Sequence, residues 1–432
     1  MTVLSSMNSG VSGLKAESDA LGVVGDNIAN VNTSGFKAQR AVFEDVLGHS
    51  ILAGTSSSLP GSGVKVGDIQ QMFTQGTLSN TGVSTDVALN GDGFFVVKGT
   101  VDGVSSDFYT RAGEFVIDKD GKLSNTAGLK VQGYQANADG TFQASLSDVT
   151  APTAALPAKA TAAMSVTANI DSSATVPTLA WDPQDPKNTS NFSTTMSVYD
   201  SLGNAHTMDV YFRKTADNTW DYHAVVPGAD VNPPVVGNSE VGTGSLTFTT
   251  NGALDTVTAG TPIAVSFGGG ATAAQAITLD FGTPISAGGT GLDGTTQFAG
   301  PSNVSSQSQD GYASGDFSGV SVDGQGVVTG LYTNGQKIAM SQLGIAKFRS
   351  NDGLGRAGQN LWISTRESGT AALGTAGSGG RGATTGGALE GSNVDLAQEF
   401  VNMIQHQRSF SANSKTITTA DEMLQELINI KR

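Results

Sequence analysis

The sequence predicts a multidomain fold in which paired, coiled-coil-like terminal α-helices enclose mainly antiparallel β domains that are discontinuous in sequence. Three observations predict it. Both ends carry apolar residues at seven-residue spacing, the middle alternates with period two, and glycine makes up 57 of 432 residues. Charged residues are 14% of the chain, against about 25% in ordinary globular domains. That composition suits short strands and many tight turns. The length exceeds what one hydrophobic core usually supports.

At the amino end Leu4, Met7, Val11, Leu14, Ser18, Leu21, Gly25 and Ile28 fall at alternating steps of three and four, which places them on one helix stripe. Gly35, after Thr33-Ser34, is the expected stop. A helix of about 28 residues is roughly 40 Å long. At the carboxyl end Ser392-Asn393-Val394-Asp395 reads as a capping box. Leu396, Met403, Phe410, Ile417 and Leu424 then repeat every seven residues. The companion column is mixed (Phe400, Gln407, Ser414, Asp421 and Ile428), so the apolar seam is narrow and suits a single partner. Amphipathic helices lying on a globular core give the same local pattern. Their place at the two chain extremes, with no local core beside them, favours pairing with each other or with other copies.

Between the ends the period changes. Phe94-Phe95-Val96-Val97 is a buried-strand run, and Phe115-Val116-Ile117 leads into the turn Asp118-Lys119-Asp120-Gly121 and Leu123. Met196 and Val198, then Met208, Val210 and Phe212, then Trp220, Tyr222, Ala224 and Val226 read as an antiparallel meander turned by Ser201-Leu202-Gly203-Asn204. Further strands are predicted over 319–322, 326–332, 345–348 and 361–363. Ser50–Gly63 reads as a linker, and Thr150–Ala163 as a domain edge. The Gly-, Ala- and Thr-rich Ser368–Gly387 reads as a loose tether with no packed core.

Little in the chain points to chemistry. A net charge of −15 argues against nucleic acid and anionic membrane surfaces. With no cysteine there are no disulfides, thiolate metal sites or cysteine nucleophiles. His49, His206, His223 and His406 show no metal-binding spacing, and no G-x-S-x-G elbow is present. The two G-x-G-x-x-G matches, Gly353–Gly358 and Gly377–Gly382, lack the strand-then-helix setting of a phosphate loop. Asp118–Gly121 holds only part of an EF-hand loop. No catalytic, metal or cofactor-binding residues are assigned, and an enzyme is not expected. The first ten residues lack a basic and apolar signal pattern, and no run approaches a membrane span.

Longer motifs do carry a resemblance. Asn27-Ile28-Ala29-Asn30-Val31-Asn32-Thr33-Ser34-Gly35-Phe36-Lys37 resembles the amino-terminal signature of flagellar rod and hook proteins. Glu390-Gly391-Ser392-Asn393-Val394-Asp395-Leu396-Ala397 and Ile417–Leu427 are similar to their carboxy-terminal helix. Gln75–Leu78, Gly91–Val97 and Tyr109–Gly113 resemble the shared inner β region. Tyr199–His206 and Tyr211–Thr215 look like the outer domain of hook proteins, whereas from about Pro227 to Gly300 little is familiar.

The resemblance implies residues 1–40 and 389–432 as a terminal helical domain, 41–72 and 366–388 as linkers, 73–140 and 310–365 as an inner β domain, and 141–309 as an inserted outer β region. It also implies a self-assembling structural subunit of the hook, a flexible tube that couples rod to filament. The implied partners are copies of itself, a hook cap, the distal rod, the hook–filament junction proteins and the flagellar type III export apparatus. Its place would be extracellular, reached without a cleavable signal peptide. A distal rod subunit, or from a different class a secreted β-rich binding protein or enzyme, are the alternatives.

Overall fold

The computed structural model describes residues 3–46, 62–137, 139–151 and 154–430, with the side chains of 3–5 and 427 left out. The predicted linker Ser50–Gly63, His49 and the side chain of Leu4 therefore lie wholly or largely outside the described residues. The chain divides into two compact units. One comprises Met1–Thr153, Ser318–Leu331 and Lys337–Arg432, the other Ala154–Phe317 and Tyr332–Gln336.

The first unit begins with α1 (Val3–Ala29) and ends with α2 (Leu396–Ile430). A two-stranded ribbon follows α1, with β1 (Gln39–Asp45) antiparallel to β2 (Val64–Gln71). Next comes a large sheet in which Lys337–Lys347 pairs with Lys130–Ala136, which pairs with Phe94–Val101 and through it with Val104–Thr110. The predicted Phe94, Phe115, Leu123 and Leu361 strands are all present. An aromatic core of Phe94, Tyr109, Phe348 and Trp362 fills one side, with Tyr109 edge-on to Phe348 at 4.7 Å. Early and late segments then interlock. Leu78–Asn80 pairs with Ala388–Glu390, and Val87–Asn90 pairs with Ala383–Gly386.

That pairing corrects one expectation. Ser368–Gly387 is not a loose tether, because Ala372–Thr375 and Ala383–Gly386 are strands laddered onto Lys337–Lys347 and Val87–Asn90. Small side chains bury little, but backbone donors and acceptors satisfy each other whatever the side chains are. Arg381 closes the intervening turn by donating to the carbonyls of Ala372 and Leu373.

The second unit is two sheets sharing one core. A five-stranded meander runs in chain order through Phe192–Tyr199, Ala205–Ala216, Thr219–Pro227, Asn238–Phe248 and Leu254–Ala259. A four-stranded sheet sets Ile263–Val265, Gln275–Asp280, Ala163–Asn169 and Asn303–Gln309 side by side, with one parallel pair. Met196, Met208, Val210, Phe212, Trp220 and Leu246 from the meander meet Met164, Val166, Ile263, Ile277 and Phe281 from the other sheet. The period-two alternation of the sequence is thus the alternation of core and outer face. The unfamiliar stretch 227–300 supplies strands to both sheets.

The predicted turn at 201–204 is organised by Asp200, whose side chain is fully buried. Its Oδ1 accepts the N–H groups of Leu202 and Asn204, and its Oδ2 accepts Asn204 Nδ2. Burial pushes this carboxyl up, but the Asn204, His206 and Leu202 hydrogen bonds outweigh it and hold the group below its ordinary 3.8. Asp310 is lowered as well, because bonds from the Ala163 and Ala162 N–H groups and Lys159 overcome its burial. A depressed folded-state carboxyl stabilises above the unfolded value and loses that contribution as pH falls through the folded one. Acid titration followed by the near-ultraviolet signal of Trp220 is expected to show unfolding of this unit below about pH 4. Asp200→Asn should lower stability at pH 7 and flatten the acid limb. An unchanged acid limb would refute the assignment.

Candidate assembly interface

Among the described residues no group of three or more His, Cys, Asp or Glu side chains could hold a metal ion, and no helix is long and apolar enough to cross a membrane. His206 and His223 serve the second unit's packing, stacked at 4.0 Å on Phe267 and Trp181. The larger polar features lie instead where the two ends of the chain meet.

A buried carboxylate joins them. Glu390 Oε1 lies 2.6 Å from Lys37 Nζ, and Glu390 Oε2 lies 3.1 Å from Arg111 Nη1, with all three side chains at most 5% exposed. The N–H of Gly76 donates to Glu390 Oε1, and the N–H of Gly35 to the Glu390 carbonyl. Two cations face one carboxylate, so the surplus charge is met by carbonyls. Lys37 donates to Thr74 O and Arg111 to Gly91 O. Burial lowers the Lys37 ammonium from its ordinary value, Glu390 opposes that shift, and Arg111 adds to it.

The signature residues build the frame around this cluster. Asn27, fully buried, donates to Gln39 O and accepts Gln39 N–H, standing in for a strand partner at the end of α1. Asn30 donates to Asp26 and accepts from Thr33. Phe36 is buried, whereas Asn32 is exposed. Gly35 is not the helix stop, since α1 ends at Ala29. Its φ is +69°, and a Cβ there would stand 2.5 Å from the Ala112 nitrogen, so the position requires glycine for close approach. Asn393 accepts Ala38 N–H and donates to Met72 O and Thr74 O, tying the start of α2 to β1 and β2. The cap of α2 is Asp395, whose carboxylate accepts Ala397 and Gln398 N–H. Ser392 Oγ accepts Val394 N–H instead of starting a capping box, and Val394 is half-buried.

The helices pack antiparallel. Ile417 lies over Gly10, Asn413 over Gly13, and Glu17 Oε2 is 2.6 Å from His406 Nδ1. Gly10, Gly13, Ala16, Ala20 and Val24 form the buried line of α1, so small residues let the backbones approach. The heptad column behaves differently. Met7, Leu14, Leu21 and Ile28 are half-buried and Val11 is exposed. On α2, Ile417, Leu424 and Met403 are half-buried, but Leu396, Phe400, Phe410 and Ile428 are exposed. A seven-residue repeat on a straight helix drifts about 20° per heptad, so the column starts on the outside of α2 and reaches the seam only near Ile417. The result is a long helix whose outer face stays apolar: Phe400, Val401 and Ile404 are each 50% exposed or more.

Glu390, Arg111, Gly76 and Gln39 were not predicted as site residues. A charged residue set between buried neighbours, as in Tyr109-Thr110-Arg111-Ala112-Gly113, is the signal that could have found Arg111.

The chain matches four families along its length. Residues 7–37 match that described as flagella basal body rod protein, and 88–175 the flagellar hook protein FlgE/F/G D1 domain. Residues 169–312 match the flagellar basal body protein FlaE D2 domain, and 385–430 the flagellar basal body rod FlgEFG protein C-terminal family. It is 38% identical to the flagellar hook protein FlgE of Salmonella typhimurium over 99% of this chain and 100% of that one. It is 34% identical to the FlgE of Treponema pallidum, covering 100% of both. The crystal structure of Helicobacter pylori flagellar hook protein FlgE2 shares the fold at a TM-score of 0.50 and 14% identity, over 71% of this chain and 98% of that one.

Removing the Glu390 charge leaves Lys37 and Arg111 buried without a counter-ion, a change that costs about 3–5 kcal/mol. Glu390→Gln is expected to lower the unfolding free energy of the first unit, read from urea titration, by that amount and to raise hydrogen exchange at Gly35 and Gly76. A loss below about 1 kcal/mol would show that the cluster is not a stabilising tie.

Proposed function

The chain belongs to the flagellar hook protein FlgE family, and on that premise we propose that its two ends are the polymer contacts of a hook subunit while the β units form the wall. It is a structural subunit of the bacterial flagellar hook, the self-assembling axial element that couples rod to filament. The observation that carries the proposal is the outer face of α2. Leu396, Phe400, Val401 and Ile404 stay exposed although α1 already covers the helix's other side. A monomer gains nothing from that face. Other copies do.

Each such side chain, about half exposed, contributes roughly 1 kcal/mol when covered. A single contact is therefore weak, and a lattice of many is stable. In this reading residues 1–40 and 389–432 form the inner tube, the sheet of the first unit lies next to it, and the insert forms the outer wall. The insert's self-contained core supports a rigid outer block. Copies of the chain are the principal partner. A hook cap, the distal rod and the junction proteins bound its two ends, and the type III export apparatus delivers it outside the cell.

Purified full-length chain is expected to form short hollow tubes by electron microscopy. A variant ending at residue 395 should remain monomeric in sedimentation while its second unit keeps its melting temperature. Tubes formed without α2 would refute the proposal.

A further inference from the structure

The two-helix layer of the first unit has two different outer faces. On α1, Ser18, Gly22 and Gly25 form an exposed row, and Gly22 and Gly25 have no atom within 4 Å of where a Cβ would stand. Glycine inside a helix weakens it through backbone entropy, and no other described residue comes within 4 Å of where a Cβ would stand at either position. Between that row and β2 runs a groove of about 610 Å³, lined by Ser18, Asp19, Gly22, Asp26, Asp68 and Ile69. Asp26 is engaged by Gln39, Asn30 and, at 3.8 Å, Arg356. Asp19 and Asp68 have no ion-pair partner among the described residues.

On α2, Val401, Ile404 and Arg408 follow at steps of three and four and form one ridge. Val401 and Ile404 are 58% and 51% exposed, and Arg408 is exposed with no ion-pair partner among the described residues. At 100° per residue the ridge and the groove lie roughly 120–180° round their helices from the Gly13–Asn413 seam. They therefore face outward on opposite sides of the layer. Because Glu17 stands opposite His406, they are also level with each other along it.

We propose that the Val401–Ile404–Arg408 ridge of one copy seats in the Ser18–Gly22–Asp68 groove of the next. Ile404 lies over Gly22, and the Arg408 guanidinium sits between Asp19 and Asp68. This rests on the reading of the chain as a polymer subunit and names the surfaces that build it. The occupant is a second copy because the charges are complementary, acidic in the groove and basic on the ridge. The two surfaces also lie on opposite sides of one layer, which is what a head-to-tail contact requires and a two-fold dimer does not. A three-residue ridge is far smaller than the interface a stable free dimer needs. The contact therefore forms only where further contacts hold copies together.

The chain has no cysteine, so engineered pairs report cleanly. Full-length protein carrying Gly22→Cys and Ile404→Cys together is polymerised and oxidised, then run without reductant. A ladder of dimers, trimers and higher species is expected, with no ladder from either single variant. In parallel, Gly22→Leu starts from a Cβ that meets no other described residue within 4 Å and should leave the monomer's circular dichroism unchanged while slowing tube growth at least tenfold. Arg408→Glu should slow it similarly, and Asp68→Lys should restore part of the loss. Tubes without a ladder, or Gly22→Leu growing as fast as the unaltered chain, would overturn this contact and leave the assembly reading intact. An unaltered chain that forms no tubes would overturn the assembly reading and this contact with it.

Discussion

The bond from Lys37 to Glu390 spans almost the whole sequence, and the rest of the first unit depends on it. An unpaired charge in a dry interior is costly enough that neither residue tolerates burial alone. Lys37 follows α1, Glu390 precedes α2, and Arg111 comes from the sheet between them, so all three must arrive for any to be satisfied. The cluster thereby fixes where both helices leave the β unit. Asn27 and Asn393 reinforce this with neutral hydrogen bonds to Gln39, Ala38, Met72 and Thr74.

Beyond that anchor the helices are held by modest means. Gly10 and Gly13 admit Ile417 and Asn413, and Glu17 pairs with His406, whose ring stacks on Phe43. Little apolar area is used up inside the monomer, and that is why so much remains on the outer face of α2. For a subunit that polymerises this division is economical: the polar cluster secures the fold, and the apolar surface is kept for neighbours. The insert follows the opposite rule. Its sheets bury a contiguous core that runs from Met164 to Phe281, and the apolar side chains it leaves exposed, such as Leu179, Leu202, Val236 and Leu292, are scattered over turns and connections.

Much of this was legible from the sequence. The continuous apolar run 94–97 is a strand buried on both faces, and the alternation from Met196 to Val226 matches the observed meander, because alternation reports directly which side faces a core. Helical ends were evident from spacing. The loose tether was misjudged because Ala, Gly and Thr carry no packing signal, while the ladder that orders Ala383–Gly386 is made by the backbone. The cap of α2 was placed three residues early, since Ser392 and Asp395 are both good caps locally and only the Asn393 anchoring decides between them.

By itself the sequence determined the terminal helices and the strands marked by apolar runs or alternation, the two heptad ends, the single unfamiliar stretch within the insert, and the likeness to flagellar axial proteins. These are properties of spacing and of local motifs. Only the tertiary structure decided which face of each helix meets the other, that Glu390 and Arg111 complete the Lys37 site, and that Gly22 opens onto empty space. The physical reason is distance along the chain. Periodicity marks an apolar stripe, but a straight helix rotates that stripe away from a fixed partner. A charge that is buried at residue 390 gives no sign, in its own neighbourhood, of the lysine at 37 that neutralises it.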